Sequence, residues 1–310
     1  MRNLGLLVLA ILLLCASVFL IRYRGWIRYA IQQRKREQRF STQPAKHRPE
    51  PATWRDNAVT LSWLGHATLL INFHGIRIIT DPVFVESIGI RVLGVITVGP
   101  KRLVHCALTP AELPPLDLIV QSHAHLDHLD VRSWKQLPRR PAVVMAAKNS
   151  RHIRHLGFSN VTELHWGETT EVAGVRVTAV EVRHWGERFP WSAWHGYNAY
   201  LLERNGTTIL FGGDTAYTES ICRACEGHKI DIAILPIGGY EPWIQSHASP
   251  EQAWEMAQRI RSDYLVPIHH QTFILSYEPP DEPLRRVLDA AGDQAERVVL
   301  REIGQTFVLP

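Results

Sequence analysis

Cysteine is scarce in this chain. Four among 310 residues, placed at Cys15, Cys106, Cys222 and Cys225, do not make a disulfide framework. The lone CxxC of Cys222 and Cys225 has no second pair to complete a zinc knuckle and reads as one face of a short helix. Acidic residues are missing from one end. Residues 1–48 hold ten Lys/Arg against Glu37 alone, a charge of +9; the whole chain carries +4, so the remainder carries −5. An acidic body is a poor partner for nucleic acid, where phosphate neutralisation dominates affinity, and no such partner is expected. No repeat, no low-complexity segment beyond the leader and no additional cofactor motif is visible. The rest is ordinary: 45% hydrophobic and 21% charged residues suit one large globular domain or two small ones.

Charge is also absent from the eighteen residues Leu4 to Ile21. As a helix they reach about 27 Å, close to the roughly 30 Å hydrocarbon core of a bilayer. Seven basic residues follow between Arg22 and Arg39, which keeps the downstream side in the cytoplasm. A cleaved signal peptide with small residues near Ala16-Ser17 is the rival reading; dense positive charge just after the run opposes translocation and favours an uncleaved anchor. The expected organisation is a transmembrane anchor over residues 1–22, a basic juxtamembrane segment and Pro-rich linker over 23–54 (Pro44, Pro49, Pro51), and a catalytic domain over 55–310. That makes a single-pass protein of the inner membrane with its domain in the cytoplasm.

The body opens with Val59, Leu61 and Trp63 alternating, then Leu69, Ile71 and Phe73, a turn at His74-Gly75, and Ile76 and Ile78, a β-hairpin pattern. Ser249-Pro250-Glu251-Gln252 is a capping box, followed by the amphipathic stripe Ala253, Met256, Ala257, Ile260. Elsewhere apolar runs end on polar residues. Leu118–Val120 leads to His123, Val177–Val182 to His184, Ile209–Phe211 to Asp214, and Leu265–Ile268 to His269. In layered α/β folds, sites gather at such strand ends.

The densest feature is His123-Ala124-His125-Leu126-Asp127-His128. With His at 16 of 310 residues, this spacing should arise by chance in roughly 0.002 chains of this length. Imidazole and carboxylate are ligands for zinc and similar metals. With the later His184, Gly212-Gly213-Asp214-Thr215 and His269, the motif resembles the metallo-β-lactamase superfamily. That resemblance implies an α/β fold, the four-layer αβ/βα sandwich. It further implies that His123, His125 and His184 hold one ion, Asp127, His128 and His269 a second, and Asp214 both. Two such ions lower the pKa of bound water to about 7, so that hydroxide is available for attack. Zinc is the expected metal by ligand type; manganese and iron tolerate the same donors.

Trp63-Leu64-Gly65-His66-Ala67-Thr68, Thr80-Asp81-Pro82-Val83-Phe84, Gly99-Pro100-Lys101-Arg102, Gly239-Tyr240-Glu241-Pro242 and Glu278-Pro279-Pro280 are similar to the branch of N-acylphosphatidylethanolamine-hydrolysing phospholipase D. The chain departs from that branch at His270 and Trp243, where the phospholipase carries Trp and Arg. The resemblance implies a phospholipid or other phosphodiester substrate, with Asp127 and His247 taking part in catalysis. Other residues have two readings each. His66 is a support for a ligand or a buried structural His, and Asp81 starts a turn or supports a ligand. His270 is a spare ligand or points away, and Lys101-Arg102 meets a phosphate or is a solvated turn. Trp185, Trp191 and Trp194 form an apolar lip or pack the domain. The rival functions are a lactone or sugar-phosphate lactone hydrolase on the same site and a non-catalytic metal-binding protein.

Overall fold

The computed structural model describes residues 2–92, 95–189 and 192–310. It falls into two units, Met1–Ser41 and Thr42–Pro310. The first is a helix, α1 (Arg2–Glu37), with Arg34, Lys35 and Arg36 in its last turn, where cations suit the carbonyl end. The transmembrane reading of this run gains no support. Many of its side chains lie outside the described residues, and among the described residues no helix is long and apolar enough to cross a membrane.

The second unit is built from β1 (Val59–Gly65), β2 (Thr68–Phe73), β3 (Ile76–Thr80), β4 (Ile90–Val92), β5 (Ile96–Val98), β6 (Leu118–Gln121), β7 (Ala142–Ala146), β8 (Val161–Leu164), β9 (Thr169–Val172), β10 (Val175–Val180), β11 (Ala199–Arg204), β12 (Thr207–Phe211), β13 (Ile232–Pro236), β14 (Tyr264–Ile268) and β15 (Thr306–Val308). Four helices accompany them: α2 (Val131–Gln136), α3 (Glu219–Ala224), α4 (Pro250–Arg259) and α5 (Glu282–Ala291). One sheet runs β15-β1-β2-β3-β6-β7-β8, the other β14-β13-β12-β11-β10-β9. β1 and β2 pair antiparallel with Val59 opposite Phe73, and β2 returns through His74-Gly75 into β3, as the alternation predicts.

Apolar faces decide how the sheets stack. Leu61, Ile71 and Ile119 of the first sheet meet Val177, Phe211 and Ile234 of the second in one buried cluster, which Trp134 of α2 joins. The other face of the second sheet packs Leu210, Ala233 and Leu265 against Ala253, Met256 and Ala257 of α4 and Val287 of α5. The capping box is present, with Ser249 accepting from the Gln252 amide. The result is an α/β fold with two central sheets between helices. The strands β6, β12, β13 and β14, buried along nearly their whole length, bring their C-terminal ends to one edge.

The body starts earlier than the Pro-rich segment suggests. Gln43 donates to the Leu103 carbonyl at 2.8 Å and accepts from His105 at 2.9 Å, while His47 pairs with Glu302 at 2.8 Å. Residues 42–54 are therefore strapped to the body, because prolines there leave enough amides to bond the neighbouring strand edge.

Candidate metal centre

The loop after β6 delivers the histidine motif, and three further strand ends or loops face it. His123 Nε2 lies 2.9 Å from His125 Nδ1, which lies 3.1 Å from His184 Nε2. Asp214 Oδ2 is 3.8 Å from both outer nitrogens. The same Asp214 oxygen lies 3.1 Å from His128 Nε2 and 3.2 Å from His269 Nε2. Asp127 Oδ2 closes this second group at 3.6 Å from His128 and 3.4 Å from His269. Donors around a tetrahedral zinc with bonds of about 2.0–2.1 Å sit about 3.3 Å apart, and the second group matches that spacing on each edge quoted. All seven residues suggested by the sequence are thus brought together, in overlapping groups that could hold metal ions: His123, His125, His184 and Asp214 form one, Asp127, His128 and His269 with His66 a second, and Asp214 also groups with His247 and His269.

The tautomers fit a metal. His184 Nδ1 donates to the Ser246 carbonyl at 3.0 Å and His269 Nδ1 to the Gly238 carbonyl at 3.1 Å. Carbonyls only accept, so in the neutral ring each Nε2 presents its lone pair. His128 Nδ1 donates to Asp81 Oδ2 at 2.6 Å, and His123 Nδ1 to Ser122 Oγ at 2.9 Å. His125 Nδ1 carries at most one proton and can donate to only one of His123 Nε2 and His184 Nε2, so the other contact sets two lone pairs face to face unless a cation lies there, and the buried Nε2 atoms of His128 and His269 have no hydrogen-bond partner. The donor set and its outer partners therefore suit bound ions.

The electrostatics agree. Burial, then neighbouring imidazoles, drives His123 well below its ordinary value; His125 is pushed to about 3 and His184 to about 4. Burial also opposes charge on His128 and His269, yet Asp214 and Asp127 outweigh it. His128 rises well above its usual range and His269 to about 9. Asp127 and Asp214 are held well below theirs by the imidazoles around them, against burial. Two carboxylates, Asp214 buried and Asp127 half-buried, that demand positive charge are a cation site by another description.

Asp81 is the hub behind the ligands. It sits at φ +32 and is fully buried, accepting from the Ser122 amide (2.7 Å), Ser122 Oγ (2.5 Å), Gln121 Nε2 (2.9 Å) and His128 Nδ1. Ser122 was invisible as a functional residue in the sequence; its position directly before His123 was the one available signal. His66 donates from Nε2 to Asp127 Oδ2 at 2.9 Å, which resolves its two readings toward support of a ligand. His247 places Nδ1, buried and without a hydrogen-bond partner, 3.9 Å from Asp214 Oδ2. Gly239, at φ +89, permits this: a Cβ there would stand 3.0 Å from that nitrogen and 3.2 Å from His269. The carboxylate of Glu278 accepts from the Gly239 and Glu241 amides at 2.5 and 3.1 Å, which joins two motifs far apart in sequence.

Other readings are corrected. Arg102 is no solvated turn residue. It is buried, donates to the Val83 and Val85 carbonyls and lies 5.0 Å over the Phe273 ring. His270 stacks on Trp63 at 4.6 Å and belongs to none of the metal-capable groups. Trp185 lies 4.7 Å from the His125 ring, against the ligands, whereas Trp194 pairs with Lys148. Trp191 falls outside the described residues.

Comparison with known proteins agrees with this geometry. The family described as the beta-lactamase superfamily domain matches residues 76–270. An uncharacterised protein of Mycobacterium tuberculosis is 33% identical over 273 residues, which is 82% of this chain and 70% of that protein. N-acyl-phosphatidylethanolamine-hydrolyzing phospholipase D 1 of Caenorhabditis elegans is 29% identical over 267 residues, 77% of this chain and 72% of that protein. The solved structure of isothiocyanate hydrolase from Delia radicum gut bacteria superposes with a TM-score of 0.66 at 17% identity, over 80% of this chain and 98% of that one. The chain belongs to the β-lactamase superfamily domain family. It is a metal-dependent hydrolase of that superfamily, with a His/Asp cluster that could bind metals.

Proposed function

We propose that this chain is a dinuclear zinc phosphodiesterase that cleaves a phospholipid such as N-acylphosphatidylethanolamine. The observation that carries the reading is one carboxylate oxygen, Asp214 Oδ2, within 3.1–3.8 Å of donors from both groups. His123, His125, His184 and Asp214 would hold one ion, and Asp127, His128, His269 and Asp214 the other. Bound there, the ions supply Lewis acidity toward the phosphoryl group and acidify water. The chain's own residues do the rest. His66 fixes the orientation of Asp127, Asp81 and Ser122 fix two imidazoles, and His247 is free to hydrogen-bond a phosphoryl or leaving oxygen. Water adds to phosphorus, the bond to the headgroup alcohol breaks, and phosphatidic acid and that alcohol leave. The similarity to the worm phospholipase over most of the chain supports the lipid class.

The leader suits such a substrate. Leu6, Ile11, Leu14 and Ile21 of α1 are exposed along the helix, and the basic turns after them favour an anionic cytoplasmic membrane face. In this reading the leader is a single-pass anchor in the inner membrane. The test is the zinc-loaded full chain in vesicles containing N-acylphosphatidylethanolamine. Phosphatidic acid release by the native chain, lost by more than about 100-fold in His125→Ala, is expected. Absence of release, or equal release by the variant, would overturn the reading.

A further inference from the structure

The loop from His184 to β11 carries a cation that the metal centre does not use. Arg188 Nη1 donates to the carbonyl of Ala124, the residue between His123 and His125. Among the described residues no carboxylate forms an ion pair with it. The nearby Asp130 is taken by Arg132 at 2.7 Å and Asp127 by His66 at 2.9 Å. Burial pushes Arg188 down to about 10, with Asp130 and Asp127 acting the other way. The guanidinium lies 5.8 Å over the Phe189 ring, and a half-buried cation with no carboxylate counter-ion beside a centre for two divalent ions is costly to keep. Unlike Arg102 Nη1, no Arg188 nitrogen is both buried and unpartnered, so solvent reaches its unused edge.

The loop that carries Arg188 is also held in place. The His195 amide and Nδ1 both donate to the Gly186 carbonyl, at 3.0 and 3.1 Å, and His152 Nε2 meets His195 Nε2 at 3.1 Å. Gly186 has no room for a side chain, since a Cβ would come 1.8 Å from the His195 carbonyl oxygen. A planar donor fork, fixed by its loop and facing water next to the metal ligands, matches the geometry of a phosphoryl or carboxyl anion.

We propose that Arg188 is a specificity residue: its guanidinium receives the anionic, non-bridging oxygen of the substrate at the metal centre and makes the site select a phosphodiester anion over a neutral ester. This rests on the phosphodiester reading above. The bland alternative is that Arg188 only ties its loop to Ala124. Arg188→Gln separates the two, because the amide can still donate to that carbonyl while the charge is lost.

The experiment uses the zinc-loaded full chain with two probes that share a leaving group, the monoanionic bis(p-nitrophenyl) phosphate and the neutral diethyl p-nitrophenyl phosphate. The ratio of their kcat/KM values should fall about 10- to 100-fold in Arg188→Gln and Arg188→Ala, carried mainly by KM for the diester, and recover in part in Arg188→Lys. Metal content should stay equal among the variants. Binding of inorganic phosphate, followed calorimetrically, should weaken about tenfold in Arg188→Gln. A ratio within threefold of the native value, with equal phosphate binding, would overturn the proposal. If the native chain turns over neither ester, the phosphodiester reading fails, and phosphate binding alone decides. Weaker binding in Arg188→Gln then retains Arg188 as an anion site, and equal binding removes it.

Discussion

Replacing Asp81 by Asn changes one atom and should empty part of the metal centre. Asp81 accepts four hydrogen bonds, two on each oxygen: the Ser122 amide and Gln121 on Oδ1, Ser122 Oγ and His128 Nδ1 on Oδ2. An asparagine keeps the shape but turns one acceptor into an NH2 donor. If that NH2 occupies the Oδ2 position, it faces the N–H of His128. The imidazole then relieves the clash by moving its proton to Nε2, which removes the lone pair aimed at Asp214 and Asp127. If it occupies the other position, it faces two N–H groups that cannot change. Either way a buried donor loses its acceptor, worth about 1–3 kcal/mol. Loss of an outer carboxylate behind a ligating histidine typically costs about 10- to 100-fold in metal affinity. The assay is zinc affinity by competition with a chromophoric chelator, plus the d–d spectrum of the cobalt-substituted protein. At least one of the two ions should weaken by about tenfold or more. Affinities within threefold of the native protein at both positions, with an unchanged cobalt spectrum, would refute the argument. Asp56→Asn, at an exposed ion pair with Arg77, serves as the control.

Two more expectations follow from the loop and glycine geometry. Gly213 sits at φ +57 with Ser122 Cβ only 2.5 Å from where its own Cβ would be; Gly213→Ala should cost about 1–3 kcal/mol in chemical denaturation and weaken zinc binding through Ser122 and His123, and an unchanged denaturation midpoint would count against it. His152 is pushed from its ordinary 6.5 to about 3 by burial, then by Arg188, His195 and Arg151. The unfolded chain therefore binds this proton more readily, so His152 contributes stability above about pH 6.5 that is lost as pH falls toward about 3. In His152→Gln, which can still donate to His195, the drop in Tm from pH 7 to pH 4.5 should be smaller than in the native chain; an equal drop would show that the group is not depressed.

Much was legible locally because the chemistry repeats within a few residues. The HxHxDH run puts four donors in one loop, and the alternation from Val59 to Ile78 writes the first three strands, since a period of two is that of the extended backbone; that β1 and β2 are buried on both faces is not in that pattern. The box at Ser249 announced α4 because capping is a contact between neighbours in sequence. Arg102 was misread for the opposite reason. Its neighbours Pro100 and Lys101 suggest a solvated turn, and nothing local tells that Val83, Val85 and Phe273 close over it.

What the sequence by itself determined is the donor inventory and the strand ends that present it: which imidazoles and carboxylates exist, and that apolar strands lead into them. What only the tertiary structure decided is how they share the work. Asp214 lies beside both groups because β12 lies between β11 and β13 in the second sheet while the histidine loop leaves β6 in the first. Asp81 reaches His128, Glu278 braces Gly239, and Arg188 meets Ala124 across separations of 47, 39 and 64 residues. The physical reason is that ligation and orientation are set by distances of a few ångströms between groups on different strands, and these distances exist only once the two sheets have packed their apolar faces together.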